Sequence, residues 1–325
     1  KPQALLPALS GIVAAGSLHF TRGYTPAARQ EQEAVADAFD NDCIAHDGYY
    51  LHRPGTVLIA EDTPYKVFTP FWKACTRMPE PDRPAAAPAT LQTCTKDELA
   101  RLRSELPVIR LEDLALLPTT PDWAGGLREE WQPGEDGAHA RLDEFAVHAG
   151  RYGSRRDFPG DDATSKLSPH LHFGEIGPRQ VWHRLHDNVL AGDGVQGSEA
   201  FLRQLYWRDF CGHLLWHFHD MATKPLREKF ESFPWVPDTA TLQAWQHGET
   251  GIPIVDAGMR ELWNTGWMHN RVRMIVASFL VKNLLVPWQH GAEWFLDTLV
   301  DADLANNSAG WQWVAGCGTD AAPYF

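Results

Sequence analysis

The chain has 325 residues, 44% of them hydrophobic, which is enough for two domains with separate cores. A formal net charge of −13 argues against nonspecific nucleic-acid binding through overall charge, so any such contact must come from a local cluster of arginines. Five scattered cysteines (Cys43, Cys75, Cys94, Cys211, Cys317) without CxxC spacing argue against a zinc or iron–sulfur framework and fit a reducing compartment. No apolar run approaches membrane-spanning length and no signal peptide is visible, so the expected setting is the cytoplasm, away from membranes. Starting at Lys1 and stopping at Phe325 without a terminal signal, the chain reads as an internal piece of a longer protein.

In chain order, residues 1–75 read as part of an α/β domain. Leu5 to Ala15 suits a short helix, Ser17 to Thr21 a strand, Ala27 to Phe39 a polar-faced helix and Cys43 to Ala45 a second strand. Arg53-Pro54-Gly55 marks a turn. Two strands are too few for a complete sheet. The next stretch, residues 76–126, is rich in proline and alanine and reads as an interdomain linker. From Leu127 onward apolar residues recur every three or four positions, through Val181–Leu190, Phe201–His217, Leu242–Gln246, Met259–Thr265, Val272–Leu285 and Ala292–Leu299. Residues 127–325 are therefore expected to be all helical.

Several polar groupings interrupt this pattern. Thr164-Ser165-Lys166-Leu167-Ser168-Pro169 joins a Gly/Asp loop to a helix, with Ser168 suited to the N-cap and Pro169 to the first helical position. Its N–H groups and hydroxyls suit a diphosphate, although an ordinary capped helix is the commoner meaning of such a pattern. Gln204 and Arg208 share a helix face beside Trp207, and Asn270 and Arg273 lie one turn apart. Asp303, Asn307 and Trp311 follow at spacings of four, with Asp301 just before them. Asparagine inside a helix is unfavourable unless its amide is used, which marks Asn306 and Asn307. The His213/His217 pair has metal-ligand spacing, but its aromatic neighbours Trp216 and Phe218 and the want of a following carboxylate favour packing, so no metal is expected.

Taken together, Tyr152, Arg156-Asp157-Phe158-Pro159, Thr164–Pro169, Trp207-Arg208-Asp209-Phe210, Met268-His269-Asn270-Arg271, Gly310-Trp311-Gln312-Trp313 and Gly318–Phe325, with Tyr65–Phe71 upstream, resemble the photolyase/cryptochrome family in its own order. The resemblance implies an N-terminal α/β antenna domain of Rossmann type, partial here over 1–75, the linker over 76–126, and an all-helical FAD-binding domain over 127–325 whose C-terminal end is missing. It implies that Tyr152, Thr164, Ser165, Lys166, Leu167 and Ser168 hold the diphosphate and ribityl part of FAD. Phe201, Gln204, Arg208, Trp267, Asn270, Arg273, Asp301 and Asp303 would line flavin and adenine, and Asn307 would face the reactive flavin nitrogen, as in photolyases. Trp311, Trp288 and Trp235 would form an electron relay to the surface; taken singly, each is an ordinary core aromatic.

Trp207 and Trp313 would sandwich a damaged dinucleotide flipped from the duplex, Met274 would touch it, and Arg156 and Arg271 would grip flanking phosphates. Asn270 and Met274 stand where relatives acting on (6-4) photoproducts usually show histidines, which implies cyclobutane pyrimidine dimers as substrate. Gln204 departs from the glutamate common in such enzymes, and it cannot deliver a proton. The implied activity is light-driven repair of dimer-containing DNA by a monomeric lyase; the alternative is a blue-light photoreceptor of cryptochrome type. An antenna chromophore, folate or deazaflavin, is also implied, although Tyr24–Arg29 does not resemble the acidic folate-contacting version.

Overall fold

The computed structural model describes residues 1–39, 41–192 and 194–320. In chain order the elements are α1 (Pro2–Val13), β1 (Ser17–Thr21), α2 (Pro26–Ala38), β2 (Asp42–His46), β3 (Leu58–Ala60), β4 (Thr63–Pro64), α3 (Phe68–Cys75) and α4 (Lys96–Glu105). The helical part follows with α5 (Gly125–Glu130), α6 (Glu135–His148), α7 (Tyr152–Arg155), α8 (Ser168–Phe173), α9 (Pro178–Leu190) and α10 (Val195–His217). It continues through α11 (Thr239–Gln246), α12 (Pro253–Thr265), α13 (Asn270–Ser278), α14 (Trp288–Thr298) and α15 (Leu304–Ala315). Two compact units result, one of residues 1–48 with 84–124 and one of residues 49–83 with 125–325.

In the first unit β1 and β2 pair in parallel, Ser17 opposite Asp42 and Thr21 opposite His46, with α2 as the crossover. Thr25 caps α2 by accepting from the Ala28 amide at 3.3 Å, and Pro26 takes the first helical turn, where no N–H is needed. Past the strand ends, Asp47 accepts from Arg22 Nε at 2.8 Å and from the Tyr24 hydroxyl at 2.7 Å. The expected linker is not wholly irregular. Thr95 and Glu98 form a capping box, each side chain accepting from the other residue's amide, and so start α4.

The second unit shows why the boundary expected at residue 75 moves. Leu51, Val57, Phe68, Phe71 and Cys75 are buried in one core with Leu142, Phe145, Val181, Leu185, Phe201, Leu205, Phe210 and Leu214. These early side chains lose their water against α6, α9 and α10, which fixes residues 49–83 to the helical unit. A second core gathers Trp245, Met259, Leu262, Val276, Leu280, Trp288, Phe295 and Trp311. Helix α10 is apolar on most of its circumference, while Arg203, Gln204, Trp207 and Arg208 are only half-buried and mark its one polar flank. A Cβ on Gly212 would lie 2.4 Å from the Tyr50 ring, so only glycine lets residue 50 come this close to α10.

His213 is 1% exposed and donates from Nε2 to the Tyr65 carbonyl at 3.1 Å, with the His217 ring 4.6 Å away. Burial, reinforced by His217, pushes the imidazole down to about 4. Its neutral form belongs to the folded state, so the associated stability is complete above the unfolded value of ~6.5 and is lost as pH falls from there toward 4. Denaturant titrations between pH 7 and 4 should show a loss of up to about 3 kcal/mol from this residue. His213→Gln, less stable at pH 7, should show a flatter pH dependence; an unaltered slope would exclude the residue as the cause.

Candidate functional site

The loop before α8 is held by its own side chains. Ser165 Oγ accepts from the Leu167 amide at 3.3 Å, and Leu167 is buried at 1% exposure. Lys166 stands between them in the left-handed region, φ +48°, and its ammonium meets Glu130 Oε1 at 2.6 Å. Ser168 opens α8 and is exposed, with Leu167 rather than Ser168 in the cap position and no side-chain cap bond. The hydroxyl expected to cap the helix is therefore not used for that purpose. Tyr152, the first residue of α7, lies edge-on to Phe201 at 5.2 Å, and burial raises its phenol. Arg156 sits over the Tyr152 ring at 5.5 Å.

A second set converges on the start of α15. Asp303 is its N-cap: one carboxylate oxygen accepts from Asn306 N and Asn306 Nδ2, both at 2.7 Å, and the other accepts from the Tyr49 hydroxyl at 2.9 Å. Arg208 donates to the carbonyls of Tyr49 and Leu171, with its guanidinium 4.0 Å from the Tyr49 ring centre. Burial, then the nearby Asp303 charge, drives the Tyr49 phenol well above its ordinary value, so it is a fixed donor at every working pH. Asn307 Nδ2 donates to the Ala292 carbonyl at 2.9 Å, which answers how an asparagine is tolerated inside a helix.

Arg273 bonds Asp301 Oδ2 at 2.8 Å and the Met268 carbonyl at 2.8 Å. The Asp301 side chain is 4% exposed and its other oxygen, Oδ1, is buried without a partner; the buried Trp311 Nε1 is likewise unpaired. Buried polar atoms normally find partners. The acceptor left over on Asp301, two residues before the Asp303 cap, fits an N–H at the edge of a heterocyclic ring such as an isoalloxazine. Gln204 uses its amide N–H on the Ala200 carbonyl, 2.9 Å, one turn back on α10. Trp267 is half-buried with Lys166 Nζ 5.3 Å from its ring, while Asn270 is exposed and reaches only Met274 Sδ at 3.9 Å.

The arginines expected to face phosphates are brought together around one acid. Arg271 pairs with Asp157 at 2.8 Å and Arg156 lies 3.7 Å from the same carboxylate. The local positive charge is thus one unit smaller than the two arginines alone suggest. Arg271 Nη1 also touches Met274 Sδ at 3.6 Å. Trp207 stacks on Phe68 with ring centres 3.6 Å apart and planes within 10°, so one of its two faces is already covered. Trp313 is half-buried against the second core.

Of the three tryptophans expected to form a relay, Trp311 and Trp288 are 2% and 1% exposed, and Trp235 is half-buried. Trp288 and Trp235 line one open cleft of about 490 Å³ with Phe230, Pro225 and Pro287. The ring neighbours of Trp311 include Phe295 at 5.1 Å and Trp245 at 6.1 Å. Local sequence pattern assigns no role to Trp245, Tyr49, Asp157 or Glu130. Only Asp157, lying in a recognised motif, carried a signal; the others depend on partners over a hundred residues or some tens of residues away.

Residues 1–89 match the sequence profile of DNA photolyase, and residues 201–325 that of the FAD binding domain of DNA photolyase. The deoxyribodipyrimidine photo-lyase of Agrobacterium fabrum is 43% identical over 330 residues, covering 99% of this chain and 66% of that protein. The deoxyribodipyrimidine photo-lyase of Synechococcus is 39% identical over 333 residues, covering 99% and 67%. The chain belongs to the DNA photolyase family. It superposes on a bacterial class III photolyase from Agrobacterium tumefaciens with a TM-score of 0.91 at 42% identity, covering all of this chain and 66% of that one. A cryptochrome from Synechocystis gives 0.77 at 25% identity, covering 100% and 67%. The chain therefore spans about two thirds of the length of the relatives it matches. Within the family's last matching segment, Ala321–Phe325 lie outside the described residues. Among the described residues no helix is long and apolar enough to cross a membrane, and no group of three or more ligating side chains could hold a metal.

A Cβ on Gly291 would fall 2.1 Å from the Trp311 ring. Gly291→Ala should therefore displace the indole and cost about 1–3 kcal/mol in denaturant unfolding; an unchanged midpoint would show that α14 gives way freely.

Proposed function

We propose that the chain binds FAD and repairs cyclobutane pyrimidine dimers in DNA under blue or near-UV light, the activity carried in the name of its relatives. The observation that carries this reading is α15, where a capping carboxylate, an amide and a buried indole stand four residues apart at Asp303, Asn307 and Trp311. FAD, when bound and reduced, supplies the light-driven one-electron chemistry. The chain's part is to bind, orient and exclude water.

The Thr164–Ser168 loop and Tyr152 would hold the diphosphate and ribityl groups, with Phe201, Gln204, Arg208, Trp267, Asn270 and Arg273 around the rings. Asp301 offers its unpaired acceptor there, while the Asp303 carboxylate is already occupied by two donors from Asn306 and one from Tyr49. Asn307, locked by Ala292, presents a neutral amide that cannot take up a proton. The free face of Trp207, with Trp313 and Met274, would receive the extruded dinucleotide, while Arg156 and Arg271 turn from Asp157 toward phosphate. Trp311, Trp288 and Trp235 would carry an electron inward from the surface to restore reduced flavin. We read the protein as a monomer of the cytoplasm.

The test uses the full-length, flavin-loaded, reduced protein with oligothymidine carrying cyclobutane dimers. Recovery of thymine absorbance under blue light but not in the dark is expected; no recovery despite bound, photoreducible flavin would move the reading to a photoreceptor. Trp313→Ala should weaken binding of damaged DNA by ~1–3 kcal/mol through lost stacking, measured by fluorescence anisotropy. Equal affinity would remove Trp313 from the lesion site. Trp235→Phe should abolish photoreduction of oxidised flavin while chemically reduced enzyme still repairs, and normal photoreduction in that variant would refute the relay.

A further inference from the structure

Glu130 lies between the two stretches that match family profiles, at the end of α5, and no site motif contains it. Yet its position is firmly built. Trp131 Nε1 donates to the Thr265 carbonyl at 2.7 Å, tying the end of α5 to the end of α12. A Cβ on Gly126 would fall 2.3 Å from the Asn264 carbonyl oxygen, so glycine is what lets α5 approach α12 this closely. From this platform Glu130 Oε1 reaches Lys166 Nζ at 2.6 Å, with the two side chains 28% and 21% exposed. The Lys166 ammonium also lies 5.3 Å from the centre of the Trp267 ring.

Lys166 is one of five described non-glycine residues at positive φ and the only one of them within the candidate site. A lysine backbone at φ +48° is strained and persists only where its surroundings over-determine it. Three contacts do so here: the Ser165 Oγ–Leu167 amide bond that spans residue 166, the Glu130 carboxylate and the Trp267 face. The last two hold the ammonium, so that the side chain of Lys166 is committed to Glu130 and Trp267.

We propose that Glu130 is a positioning residue for the cofactor: through Lys166 it holds the loop in the left-handed turn that presents the loop's own N–H and hydroxyl groups to the diphosphate. This rests on the reading that the loop binds the FAD diphosphate. Glu130 touches no cofactor atom in this assignment. Its effect passes through one backbone torsion, and that makes it separable from a role in packing or charge. Glycine adopts φ > 0 without strain, so a glycine at position 166 removes the need for the anchor.

The experiment compares full-length wild type, Glu130→Ala and the double variant Glu130→Ala/Lys166→Gly. FAD dissociation is followed by the recovery of flavin fluorescence. Amide hydrogen exchange of peptides covering 164–168 is measured on the flavin-free protein. Glu130→Ala should release FAD about ten-fold faster and exchange faster across the loop, and the double variant should return both toward wild type. If Glu130→Ala behaves as wild type, or if the double variant remains as impaired as Glu130→Ala, the proposal is overturned. The exchange measurement judges Glu130 even if wild type binds no FAD, an outcome that would instead sink the cofactor reading.

Discussion

The Asp209 carboxylate, 1% exposed on α10, accepts from the amides of Leu51 and His52 at 3.1 and 2.7 Å, with His52 Nδ1 at 3.3 Å. Removing such a charge from water is costly unless donors replace the lost hydration, and here the backbone of a distant segment supplies them. That constraint pins residues 49–52 along α10. It places Tyr49 against Arg208 and Asp303, and Tyr50 against Gly212. Residues 49–83 join the helical unit through this latch and through two rings, Phe68 packed between Trp207 and Phe210 and Phe71 packed on Phe210.

The helical unit thus combines two apolar cores with a seam of polar groups. Along the seam, nearly every buried charge has a named partner: Asp301 with Arg273, Asp303 with Tyr49 and Asn306, Lys166 with Glu130. Among the buried polar atoms left without a partner are Asp301 Oδ1, two positions before the Asp303 cap, and Trp311 Nε1, in the second core. A polar seam with a few unspent donors and acceptors is what a large heterocycle needs, since its own polar edge must also be satisfied when water is excluded.

Aromatic residues divide between the two tasks. Trp245 is fully buried and spends its N–H on the Val276 carbonyl at 2.9 Å, which is the behaviour of a core residue. Trp311 is as deeply buried but leaves its N–H unspent and is admitted only by the missing side chain of Gly291. Trp207 is half committed, one face on Phe68. Residue type alone does not separate these three indoles. Their surroundings do.

The sequence by itself determined the periodic elements. β1 runs over Ser17–Thr21 as its alternation indicates, α10 ends at His217, and α12 ends at Thr265, because local patterns of apolar and capping residues set them. It also determined the family, since motifs in fixed order do not depend on seeing their contacts. It was blind where a residue acts through a partner far along the chain. The boundary moved from 75 because burial of Leu51, Phe68 and Phe71 is a tertiary event. Ser168 lost its capping role, Asp157 came to lie between two arginines, and Glu130 came to hold Lys166. Charge pairing and desolvation depend on distances in space, and only the folded chain brings residues 49 and 303, 157 and 271, or 130 and 166 within reach of one another.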